Sequence, residues 1–175
     1  MSNDATNQLE EFFDKQLERI NSWLTFAEAK HAAIIAFDIA AIAFVAEMRD
    51  NYPTFCTIIM LLFIGSSFVS LCSFSPITFN RPPKLTDRVN VKKLNLLFWG
   101  DIAKVKDETQ YIHQIIERYF PHCALEKSAQ RMCIDLACEI VINSRIANRK
   151  YELFKIALCI DVIAFLITAI LLIVA

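Results

Sequence analysis

The chain has 175 residues, enough for one compact unit rather than two independent cores. Hydrophobic residues make up 55% and charged residues 21%, both displaced from soluble averages in the direction that lipid-facing helices produce. A net charge of -1 gives no global pull toward nucleic acid, and two glycines are too few for a nucleotide fold built on glycine-rich turns.

The amino-terminal segment carries Leu9, Phe12, Phe13, Leu17, Ile20, Leu24 and Ala27 at steps of three and four, with Glu10, Glu11, Asp14, Lys15, Glu18 and Arg19 mostly between them. That spacing predicts an amphipathic helix. No strong breaker lies between Asn7 and Ala46, so residues 1–30 are expected to continue as one helix into a first span over residues 31–50. The apolar core of that span is short, and Phe26, Ala27 and the Lys30 stem extend it by snorkelling. A cleavable leader is not expected, because Asp4, Glu10 and Glu11 are acidic and the first apolar run comes late.

The second span is placed at residues 53–75, inside a stretch from Asn51 to Asn80 without a charged residue. Pro53 suits its first turn and Pro76 marks its end. Residues 80–152 follow as a helical soluble region. In it Leu94 to Trp99 runs to a turn at Gly100 and Asp101, and a helix spans Asp107 to Tyr119 until Pro121 stops it. A further helix over Leu125 to Leu153 is expected to run straight into a third span at residues 154–175. The expected fold is an all-α membrane protein: three transmembrane helices with a small helical cytosolic domain between the second and third.

Orientation follows from the basic residues. Between Arg81 and Lys155 there are 14 Lys or Arg against 9 Asp or Glu. Arg81, Lys84, Arg88, Lys92 and Lys93 follow span two, and Arg149, Lys150 and Lys155 precede span three. The positive-inside tendency places this region in the cytoplasm, with the amino terminus beside it and the carboxyl terminus outside.

No HExxH, GxSxG or phosphate-loop pattern is present, so an enzyme is not expected. The cysteines at 56, 72, 123, 133, 138 and 159 show no CxxC spacing. His31, His113 and His122 give no zinc pattern; His122 and Cys123 are merely adjacent, and no metal is assigned. Asp38 and Asp161 are the anomalies, since an acid in hydrocarbon costs several kcal/mol unless it faces another helix, a partner or water. They are assigned to a helix interface or a pore. Gly65, Ser66, Ser67 and Ser70 form a small-residue patch that permits close helix contact, and Gly65 and Ser66 join that assignment. Three spans are too few to enclose a channel comfortably, which favours a homo-oligomer. Lys30, Arg145, Arg149 and Lys150 are expected to gather at the membrane-proximal ends of two long helices. A phosphate is a fitting ligand there, with Trp99 or Tyr111 available to stack on a base.

Three stretches carry a resemblance: Phe26-Ala27-Glu28-Ala29-Lys30; Asn95-Leu96-Leu97-Phe98-Trp99-Gly100-Asp101-Ile102-Ala103; and Asp135-Leu136-Ala137-Cys138-Glu139-Ile140, followed by Ser144, Ile146, Lys150 and Tyr151. Together, and in this order along the chain, they resemble the transmembrane effectors of Pycsar, the pyrimidine-cyclase anti-phage system of bacteria. The resemblance implies an inner-membrane effector that senses a cyclic pyrimidine mononucleotide (cUMP or cCMP) made by a neighbouring cyclase. It then disrupts the membrane, causing cell death or growth arrest. The residues implied in sensing are Lys30, Asn95, Gly100, Asp101, Asp135 and Lys150, to which the residue chemistry adds Trp99 and Arg145. No cofactor is implied beyond that ligand, and the partners are the lipid bilayer and further copies of the chain, with no nucleic acid. This chain has Glu28 where the family prefers Asp, and Glu139 where it prefers Gln. An alternative reading is a scaffold subunit that binds a protein through Leu9, Phe13, Leu17 and Ile20; another is a small transporter or holin-like protein needing no ligand.

Overall fold

The computed structural model describes residues 2–75, 93–121 and 127–174. The expectations placed on Pro76, Arg81, Lys84, Arg88, Lys92, His122 and Cys123 lie outside these residues. The described residues form helices and connecting turns, without strands. Helix α1 runs Ser2–Glu47, α2 Pro53–Cys72, α3 Trp99–Ile102, α4 Glu108–Tyr119 and α5 Lys127–Val174.

α1 and α5 are each single long helices of 46 and 48 residues, because neither contains a proline or glycine to break its hydrogen-bond ladder. α2 starts with Pro53 in its first turn, where the missing N–H goes unneeded. Among the described residues, three helices are long and apolar enough to cross a bilayer: Asn7–Glu47, Pro53–Cys72 and Arg131–Ile173. Their outward faces are apolar. Ile39 is 64% exposed, Phe68 66% and Ile170 61%, an arrangement that water would penalise and lipid accepts.

The chain divides into two units. One draws on residues 1–25 and 77–148, the other on 26–76 and 149–175. In the first, Leu9, Phe13 and Ile20 of α1 are fully buried with Tyr111 and Ile115 of α4 and Ala137 and Ile140 of α5. Phe12 packs edge-on to Phe13 and Phe120, and Phe13 packs edge-on to Tyr111. The helical region therefore does not stand by itself between the second and third spans. Its core is completed by the amino-terminal stripe, and α5 passes from it without a break into the third apolar segment. The reason is that α4 is only three turns long, and one amphipathic face of that size needs a second apolar stripe to cover it.

α4 is fixed at its start by Asp107, whose carboxylate accepts from the Gln110 N–H at 2.8 Å, while Gln110 reaches back to the Lys106 N–H at 2.9 Å. Asp107→Ala is expected to cost about 1 kcal/mol, read as faster amide exchange in the first turn of α4.

In the second unit, α1 and α2 are antiparallel about the turn at residues 48–52, and the later part of α5 runs parallel to α1. Val45, Cys56, Ile59, Phe63 and Ala164 form its apolar core. The result is a three-helix bundle with Asp38, Ser66, Ser67 and Asp161 as a polar layer within it.

Candidate functional site

Asn95 to Lys104 make a self-capped turn. The Leu97 N–H donates to Asn95 Oδ1 at 3.0 Å, and the Asn95 N–H donates to Asp101 Oδ2 at 3.1 Å. Lys104 donates to Asp101 Oδ1 at 2.7 Å and holds that carboxyl below its ordinary range. Gly100 and Asp101 lie inside the short helix α3 rather than ending a segment. Asp101, in the first turn of α3, satisfies a backbone donor upstream of the helix, a tie the sequence pattern does not display. A Cβ on Gly100 would meet the Phe98 ring at 2.7 Å, so the bare Cα gives that ring its seat. Trp99 is half-buried beside Phe98, with ring centroids 5.0 Å apart. Tyr111 is different from the expectation. It is fully buried with its hydroxyl donating to Leu96 O at 3.1 Å, so its ring has no face to offer a base.

Arg145 belongs to the same unit. Its Nη2 donates to Val105 O at 2.7 Å and Lys106 O at 2.9 Å, and its buried Nε has no hydrogen-bond partner among the described residues. Asp107 and Glu108 add negative charge near it. Asp135 and Glu139 are exposed on α5. Between them Cys138 is a thiol pushed up by burial and by the charges of Glu108, Asp135 and Glu139. A nucleophilic cysteine needs the opposite environment.

Lys30 and Lys150 lie in the apolar bundle. Lys150 is a buried cation already matched: its Nζ donates to Glu28 Oε1 at 3.1 Å and to Ser73 O at 3.0 Å, above the Phe74 ring. His31 Nε2 sits 2.9 Å from the Lys150 carbonyl oxygen. Lys30 has its ammonium over three rings, Phe26 at 4.7 Å, Phe154 at 5.0 Å and Tyr151 at 5.2 Å. The sensing candidates thus fall into two groups: Asn95, Trp99, Gly100, Asp101, Asp135 and Arg145 in one unit, Lys30 and Lys150 in the other. Arg149 is exposed.

Asp38 is fully buried, accepting from Ser67 Oγ at 2.7 Å, and the Asp161 carboxyl lies beside it. Oδ1 of each acid lacks a hydrogen-bond partner among the described residues. Ser66 Oγ donates to Ala157 O at 3.3 Å, whereas the Cβ position of Gly65 faces open space. The pairing of Asp38 with Asp161 was not readable from the sequence. Each acid stands out in its own run, but which helix faces meet depends on how the bundle closes. Asp38→Asn keeps an acceptor for Ser67 and gains a donor for Asp161, so it is expected to melt within a few degrees of the parent. Asp38→Leu strands both groups and is expected to cost about 1–3 kcal/mol, read by thermal unfolding in detergent.

The family model described as the Pycsar effector protein domain matches residues 12–175. The chain belongs to the Pycsar effector family. It is 30% identical over 148 residues to the Pycsar effector protein RsPycTM of a Rhizobium species, covering 80% of this chain and 81% of that protein. No solved structure matches. Membership in the Pycsar effectors supports an anti-phage effector role, and the three long apolar helices make this member a membrane protein. The match covers both units, so the polar layer of the bundle and the capped turn at Asn95 to Asp101 belong to the same effector domain.

Proposed function

We propose that this Pycsar effector senses a cyclic pyrimidine mononucleotide, cUMP or cCMP, and disrupts inner-membrane integrity, so that the infected cell dies or stops growing. The observation that carries the reading is the continuity of α1 and α5. Each is a single helix that belongs at one end to the unit containing the sensing candidates and at the other to the apolar bundle. A ligand that favours one arrangement of the helical unit thereby favours one arrangement of the bundle, provided it binds that arrangement more tightly.

The ligand, supplied by a partner cyclase, is assigned to Asn95, Trp99, Gly100, Asp101, Asp135 and Arg145. Lys150 is left out because Glu28 already neutralises it. Lys30 is left out because it belongs to the apolar bundle and not to the unit that holds these six residues. The basic excess of the middle region favours a cytoplasmic helical unit and amino terminus, with a periplasmic carboxyl terminus. Assembly of several copies supplies the enclosure that one three-helix bundle lacks. Family membership suggests an effector without catalysis. The scaffold reading loses support, since Leu9, Phe13 and Ile20 are buried within the chain.

The test is dye release from vesicles carrying the purified full chain, with cUMP, cCMP or neither. Release is expected only with one of the two nucleotides. Equal release under all three conditions would leave a ligand-independent holin-like protein, and no release at all would remove membrane disruption.

A further inference from the structure

The apolar bundle carries a cleft that the sensing reading does not use. A cavity of 430 Å³ lies against α1 and α5, lined by Ala33, Ile34, Phe37, Leu158 and Phe165, with Asp161 in its wall and Lys30 among its lining residues. A second cavity of 420 Å³ shares Phe37 and Phe165 with it and continues to Phe44 and Leu172. Sharing these two residues, they adjoin along α1 and α5 as one groove. It runs from Lys30, at the start of the first apolar segment, past Phe37 to Phe44 and Leu172.

Two features say what covers this groove. The first is its chemistry: nearly every lining group is a hydrocarbon, and the exposed positions Phe37, Phe165 and Leu166 face where lipid lies. The second is the cation at its end. Lys30 makes ring contacts with Phe26, Tyr151 and Phe154 and has no carboxylate partner among the described residues, in contrast to Lys150, which has Glu28. Rings attract an ammonium but leave its N–H donors without an acceptor. An apolar trough ending in an unneutralised cation is complementary to a molecule with a hydrocarbon tail and an anionic head. The length agrees as well. Lys30 to Phe37 is about 10 Å along α1 and Lys30 to Phe44 about 21 Å, which brackets the roughly 15 Å depth of one leaflet.

We infer that this groove is a binding site for an anionic glycerophospholipid. One acyl chain lies along Ala33, Phe37, Leu158 and Phe165, and the phosphate sits on the Lys30 ammonium. The inference rests on the apolar bundle alone and stands or falls separately from nucleotide sensing.

The test uses the full chain in nanodiscs containing phosphatidylglycerol with a diazirine midway along one acyl chain. Cross-linked peptides are mapped after illumination. Labels are expected on residues 33–37 and 158–166, competed by unlabelled phosphatidylglycerol and not by phosphatidylcholine. Lys30→Gln is expected to lower this labelling about fivefold, the worth of one cation at the headgroup level, while Lys30→Arg retains it. Ala33→Trp, which fills the groove, should lower labelling with Lys30 intact, so the result does not hang on the folding of one variant. Three outcomes would overturn the inference. Equal competition by the two lipids, with Lys30→Gln unchanged, would mean ordinary boundary lipid. Protein–protein cross-links at these positions would mean a second copy's helix in the groove. Loss of labelling on adding inorganic phosphate or cUMP would give Lys30 to a soluble anion.

Discussion

Phe13→Ala is expected to cost about 3–5 kcal/mol and to loosen one half of the chain much more than the other. Phe13 is fully buried, its ring edge-on to Phe12 at 5.7 Å and to Tyr111 at 6.2 Å, in a core that also holds Ile115 and Ile140. Truncation leaves a ring-sized void, and the neighbours on three helices cannot close it without moving. Hydrogen exchange read by mass spectrometry checks the result. Amides of α4 should lose protection by two orders of magnitude or more, while those of α2, whose core is Cys56, Ile59 and Phe63 with Val45 and Ala164, should change little. Equal loss in both would mean that the two units unfold as one. Phe12→Ala is the control. Phe12 is only partly buried against the same core, so a smaller effect is expected.

That the amino-terminal stripe belongs to this core was half legible in the sequence. The steps of three and four from Leu9 to Ala27 specify a buried face, and the lack of breakers to Ala46 specifies one helix. Neither says what the face meets. Periodicity and prolines are local signals, and they located α1, α2, α4 and the unbroken α5 well. Gly100 and Asp101 show the limit even of local signals. A Gly-Asp pair reads as a turn, yet Asp101 accepts from the Asn95 backbone, and the pair lies inside α3. The longer pairings were out of reach for a geometric reason. Successive helix residues point about 100° apart, so knowing that Asp38 and Asp161 are anomalous does not tell which faces turn toward each other. The same holds for Glu28 and Lys150, which are 122 positions apart. The resemblance ordered the sensing residues along the chain but could not sort them into units. Lys150 and Lys30, read as one basic cluster, have opposite environments: one is ion-paired and buried, the other is ringed by aromatics.

Charge reversal at Lys150 is the sharper test of that sorting. The Lys150 side chain is 8% exposed and Glu28 45%. Losing one partner of a buried ion pair costs about 3–5 kcal/mol, and the exposure of Glu28 lowers the expectation here to about 2–3 kcal/mol for Lys150→Met. Lys150→Glu is worse, because it sets a second carboxylate against Glu28 and against the Ser73 carbonyl, which in the parent accepts from the Lys150 ammonium. The combined Glu28→Lys and Lys150→Glu exchange should recover part of the loss and not all of it, since Ser73 O stays fixed on α2's end of the bundle. Thermal unfolding in detergent gives these differences, and the same measurement with cUMP or cCMP separates two roles. A ligand stabilises by its concentration over its dissociation constant, whatever the basal stability. If Lys150 only braces the bundle, the exchanged pair melts between Lys150→Glu and the parent and keeps the full nucleotide-dependent shift. Recovery of the basal melt with loss of that shift would instead put the Lys150 ammonium on the phosphate, and Glu28 would then be its resting-state counter-ion.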